Sequence, residues 1–87
     1  MLTPEQRAVL VTMRQDGRNR VSQARAIANM TQVELAARSG LTQSYISRLE
    51  HGQYAELPED TATTLAGCFG CQVGELFPER VPAVQGA

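Results

Sequence analysis

Eighty-seven residues, 43% of them hydrophobic and 20% charged, suit one globular core and are too few for two. There is no run of about 18 apolar residues to span a bilayer, and the N-terminus lacks the basic flank and apolar stretch of a secretory signal. The net charge of −1 excludes a uniformly basic surface.

The distribution of charge matters more than its sum. Residues 1–55 hold seven arginines against four acids, whereas residues 56–87 hold Arg80 against Glu56, Glu59, Asp60, Glu75 and Glu79. A basic first part and an acidic second part suit a module that shows one face to phosphate, although an accidental asymmetry explains the numbers equally well. All eight basic residues are arginine. Two cysteines without a secretory signal point to a reducing compartment, so a cytoplasmic location is expected.

Helix signals recur along the chain, and almost nothing alternates with a period of two. Thr3-Pro4-Glu5-Gln6 combines an N-cap threonine, a proline at the first helical position and a glutamine that closes a capping box. This helix is expected to run through Val9, Leu10 and Met13 and to stop at Asp16-Gly17. A second helix is expected from near Asn19, with Val21, Ala24, Arg25 and Ala28 on its inner face and Asn29 at its C-terminus. Thr31-Gln32-Val33-Glu34 is another capping box, and Leu35 and Ala36 face inward behind it. Gly40 closes that helix where a positive φ is needed, and the Thr42 hydroxyl caps the next one. Ile46 and Leu49, three apart, form its buried stripe. Gln43, Ser44, Ser47 and Arg48 fall on the opposite face, and side chains of these types hydrogen-bond base edges in a major groove. Two helices joined by a short glycine-containing turn form a helix-turn-helix unit. Pro58-Glu59-Asp60 is expected to be the first turn of a further helix carrying Thr61, Thr63 and Thr64, which are read as surface and packing residues.

The run TQVELAARSGLTQSYISRLEHG resembles the helix-turn-helix of the lambda-repressor and Cro-like (XRE) family, and GCQVGELF resembles that family's fifth helix. The similarity extends from about Arg18 to Phe77, roughly two thirds of the chain. It implies that Gln32 contacts a phosphate through its side chain and the amides of its helix N-terminus. Gln43 and Ser44, after the Thr42 cap, would lie nearest the base edges, with Ser47 and Arg48 one turn on, at bases or flanking backbone. Tyr45 would reach a phosphate or pack on the preceding helix. Arg25 and Glu50 match a pair that often forms a buried or half-buried structural salt bridge. Losing one partner of such a pair costs roughly 3–5 kcal/mol. The sequence departs from the family in two places. The loop His51–Pro58 lacks the arginines or lysines that often touch phosphate there and ends in acidic Glu56, Glu59 and Asp60, and residues 1–17 precede the family's first helix. That extension covers the core or builds a dimer surface, the first being the commoner fate of an amphipathic helix.

Cys68-Phe69-Gly70-Cys71 has the spacing of zinc and redox sites, but a zinc site needs about four ligands and the one histidine, His51, belongs to another element. Both cysteines match core positions of the family and are expected to pack there. His51 is expected to cap carbonyls or meet solvent, because no nucleophile and orienting acid accompany it. The expectation is therefore an all-α, compact five- to six-helix domain at residues 18–77, with a helical extension at 1–17 and a flexible tail at 78–87. Its core is drawn from Val21, Leu35, Ala36, Leu41, Ile46, Leu49, Leu65, Ala66, Cys68, Phe69, Val73, Leu76 and Phe77. The implied function is sequence-specific binding of double-stranded DNA as a homodimeric transcriptional repressor of prophage, plasmid or toxin-antitoxin type. No catalysis, cofactor, metal or membrane partner is expected. The alternative is an antitoxin or interaction module whose main partner is a protein such as a toxin.

Overall fold

The computed structural model describes residues 1–15, 18–54 and 56–79. Six helices follow in chain order: α1 (Pro4–Leu10), α2 (Val21–Ala28), α3 (Gln32–Ser39), α4 (Gln43–Glu50), α5 (Glu59–Phe69) and α6 (Val73–Leu76). The fold is all-α, and no helix among the described residues is long and apolar enough to cross a membrane.

Local chemistry sets most of the boundaries. Thr3 and Gln6 exchange both bonds of a capping box at the start of α1, as do Thr31 and Glu34 at the start of α3. Asn29 (φ 56°) and Gly40 (φ 77°) end α2 and α3 in the left-handed conformation. α2 starts at Val21, whose amide donates to Asn19 Oδ1 at 3.0 Å, while Asn19 Nδ2 donates to the Leu49 carbonyl at 2.9 Å. One buried asparagine thus ties the start of α2 to the end of α4.

α1 is shorter than the sequence pattern predicts. It stops at Leu10 instead of running on toward Asp16 and Gly17, both of which lie outside the described residues. The reason is distant in sequence. The Arg20 guanidinium donates to the carbonyls of Val11 (3.1 Å), Met13 (3.0 Å) and Glu75 (3.0 Å), so it holds in a turn the carbonyls that another helical turn would have used. Pro58, expected inside the first turn of α5, is its N-cap.

A single apolar cluster joins all six helices. Leu10, Val21, Leu35, Ile46, Leu65, Phe69 and Leu76 are its largest fully buried side chains. Ala36, Leu41, Cys68 and Val73, expected inside, pack against the cluster half-buried. Leu2, Met30 and Ala62 belong to the core without having been expected there, and Val9 is 54% exposed. The N-terminal segment is fastened to the rest by the Leu2 amide on the Phe69 carbonyl (2.8 Å) and by Arg7 on Glu75 (3.0 Å).

Candidate nucleic-acid interface

α3 and α4 pack against each other and are joined by the turn at Gly40 to Thr42. The Thr42 hydroxyl accepts from the Tyr45 amide at 3.0 Å and so fixes where α4 starts. Ile46 and Leu49 anchor α4 in the core. Gln43, Ser44 and Arg48 are exposed on its other side, and Ser47 is half-buried beside them. The result is an eight-residue helix with an outer face of amide, hydroxyl and guanidinium groups, held from behind by the core. Such a face offers donors and acceptors to a groove without ordering any of its own backbone on contact.

Gln32 opens α3 next to this face. The groove between the α3 N-terminus and Gln43 has a volume of about 410 Å³ and is lined by Arg25, Met30, Thr31, Gln32 and Val33. Thr31 Oγ1 takes the Glu34 amide, and the Glu34 carboxylate takes the Thr31 amide. These bonds from Thr31 hold the Glu34 carboxyl below the usual range.

Arg25 and Glu50 meet in two parallel bonds. Arg25 Nε lies 2.6 Å from Glu50 Oε2, and Nη2 lies 2.9 Å from Oε1. The remaining nitrogen, Nη1, donates to the Met30 carbonyl at 3.0 Å. Glu50 is 8% exposed, and planar forks of this kind are the stronger class of ion pair. A second partner of Glu50 is not suggested by any local pattern: Gln32 Nε2 donates to Glu50 Oε1 at 3.0 Å. Gln32 Oε1 in turn accepts from Gln43 Nε2 at 3.5 Å, the long end of hydrogen bonding. Residues far apart in the chain therefore form one polar row from the α2–α4 junction to the outer face of α4.

Tyr45 turns away from this row. Its ring stacks on Tyr54 with centroids 4.7 Å apart, and burial, with Tyr54 beside it, pushes its phenol above the ordinary range despite a hydrogen bond with Thr61. His51 caps α4, its Nδ1 lying 2.7 Å from the Ser47 carbonyl, so that nitrogen carries the proton. Cys68 and Cys71 are free and half-buried. Among the described residues no group of three His, Cys, Asp or Glu side chains is placed to hold a metal ion.

A family model described as helix-turn-helix matches residues 21–76, more than half of the chain and all of α2 to α6. No curated protein and no solved structure matches the chain.

Proposed function

Because the chain belongs to the XRE, lambda-repressor-like family of helix-turn-helix DNA-binding regulators, we propose that it is a homodimeric transcriptional repressor that binds operator DNA sequence-specifically. The observation that carries this reading is the outer face of α4, where Gln43, Ser44 and Arg48 stand exposed on a helix whose other side is anchored by Ile46 and Leu49. Gln43 and Ser44 meet base edges, and Ser47 and Arg48 meet bases or the flanking backbone. Gln32 and Thr42, at the N-termini of α3 and α4, approach phosphate, which helix N-termini favour. Tyr45 serves the interface from behind, by packing on Tyr54. The Arg25–Glu50 pair holds α2 against α4 so that both N-termini keep their places. One α4 reads only a few base pairs, so two copies on half-sites about 34 Å apart match a two-fold operator.

A selection of random duplexes by the purified protein tests this. An inverted repeat among the enriched sequences, together with a 2:1 protein-to-duplex mass, is the expected outcome. Folded protein that enriches no sequence at low salt overturns it. A protein partner such as a toxin is the second reading, favoured by Val9 (54% exposed) and Val11 (41% exposed), which stand in the N-terminal segment outside the family match. Under that reading, Val9→Ser with Val11→Ser abolishes capture of the partner and leaves DNA binding unchanged.

A further inference from the structure

We propose that Glu34 sets the strength of DNA binding without altering sequence choice. Its carboxylate, fixed across the start of α3, repels the phosphate that approaches there and holds affinity for every duplex below what the same helix with an uncharged cap would reach. The proposal rests on the reading that the α3 N-terminus meets phosphate. Thr31 donates its amide to Glu34 Oε1 at 2.8 Å, and Glu34 donates its own amide to Thr31 Oγ1 at 3.0 Å. The carboxylate is thereby held on a residue that lines the groove, beside Gln32 and Val33. The amides of Gln32 and Val33 belong to the first turn and have no partner within the helix. A phosphate on the Gln32 amide lies within about 10 Å of the Glu34 carboxylate, inside one Debye length at 0.1 M salt. Arg25, the cation lining that groove, is committed to Glu50 and leaves this repulsion in place.

A second capping box in the same chain shows that the cap itself needs no charge. At the start of α1 the Thr3 amide donates to Gln6 Oε1 at 2.9 Å, and the Gln6 amide donates to Thr3 Oγ1 at 3.1 Å. These are the same two bonds, closed by a neutral amide. Glu34→Gln therefore keeps the cap and removes only the charge. That charge is permanent at neutral pH, because the bonds from Thr31 hold the carboxyl below its ordinary range. A carboxylate at this place is favoured by the positive end of the α3 dipole, and a phosphate seeks the same end. Cap and phosphate compete for one electrostatic site. The competition is blind to base identity, because phosphate contacts carry no sequence information of their own.

The test is a titration of labelled duplexes, the selected operator and an unrelated sequence, with the full chain, Glu34→Gln and Gln6→Glu, each below its melting transition. Glu34→Gln should bind both duplexes about 2- to 30-fold more tightly as a dimer at low salt. That gain should shrink as salt rises, and the ratio of operator to unrelated affinity should stay constant. Gln6→Glu places the same charge in the α1 cap, which Leu2 and Arg7 fasten to Phe69 and Glu75. It should leave both affinities within about two-fold. The proposal is overturned if Glu34→Gln leaves affinity unchanged or lowers it. It is equally overturned if Gln6→Glu loses as much as Glu34→Gln gains, which would make net charge, and not its place, the cause. A gain confined to the operator would put Glu34 among the sequence-reading contacts and overturn it too. Folded protein that binds neither duplex at low salt removes the DNA-binding reading itself, and the proposal with it.

Discussion

Arg25 is the side chain whose loss should cost most for its size. Arg25→Met leaves the buried Glu50 carboxylate with Gln32 as its remaining partner, and also removes the bond to the Met30 carbonyl. An uncompensated buried charge of this kind costs about 3–5 kcal/mol. Urea denaturation of the variant should show that loss, and Arg25→Met combined with Glu50→Leu should recover most of it, because the penalty lies in the orphaned charge. Cys71 gives a second residue-level outcome. Burial, with Glu75 beside it, pushes the thiol up to about 11. At pH 8 it should react with iodoacetamide on the order of a hundred-fold more slowly than in the urea-unfolded chain, in proportion to its thiolate fraction. A raised value means that folding favours the protonated thiol. The stability it contributes is complete below the ordinary thiol range and is lost as pH climbs toward 11. Equal alkylation rates in both states would show that the thiol is not shielded. Family resemblance alone suggested the Arg25–Glu50 contact. Neither resemblance nor pattern suggested Gln32 on Glu50 or Asn19 on the Leu49 carbonyl, because a hydrogen bond between residues 18 or 30 positions apart leaves no local trace.

Caps separate stability from binding at the level of the helix. Thr31 and Thr42 do the same local work, each accepting an amide three residues on at 3.0 Å. Replacing either by alanine should cost about 1 kcal/mol in a thermal or urea transition. Only Thr42→Ala frays the helix that carries Gln43 and Ser44, so only it should weaken operator binding beyond what the stability loss explains. An equal loss of affinity in both variants would show that α4 needs no cap to read DNA. The same caps explain which elements could be foreseen. Helices α2 to α4 are bounded by short-range signals, namely Thr31 with Glu34, Thr42, Asn29 and Gly40, and sequence reveals such signals directly. The end of α1 is decided by Arg20, nine residues beyond Val11, whose guanidinium takes the carbonyls that a longer helix would need. A pattern of apolar spacing carries no information about that competition. It therefore overextended α1.

Over the whole molecule, the N-terminal segment belongs to the same core as the helices that match the family model. Leu2 and Leu10 are 5% and 0% exposed in the shared cluster, and a chain starting at Arg18 loses both. Burial of each side chain is worth roughly 1.5–3 kcal/mol, against a total of about 5–15 kcal/mol for an ordinary domain. The truncated chain should therefore melt far below the full one or fail to fold; an unchanged melting temperature would make residues 1–17 an appendage. Leu2 could not be recognised in advance, because one apolar residue before a cap has no periodicity. Charge placement makes the other prediction at this scale. On the first turn of α3 and the outer face of α4, Arg48 is the cation outside an ion pair, since Arg25 is neutralised by Glu50. The chain then leads into Glu56, Glu59 and Asp60, all exposed. Each phosphate neutralised contributes about 0.9 to the slope of log affinity against log salt. A dimer using two copies of Arg48 should show a slope near −2, shallow for a repressor, and Arg48→Gln should flatten it almost completely. Neutralising the acids with Glu56→Gln, Glu59→Gln and Asp60→Asn should raise affinity several-fold at low salt and progressively less as screening increases. A wild-type slope steeper than about −5 would mean that more arginines reach the phosphates than α3 and α4 present. Exposed Arg14 and Arg18 would then be the first to substitute.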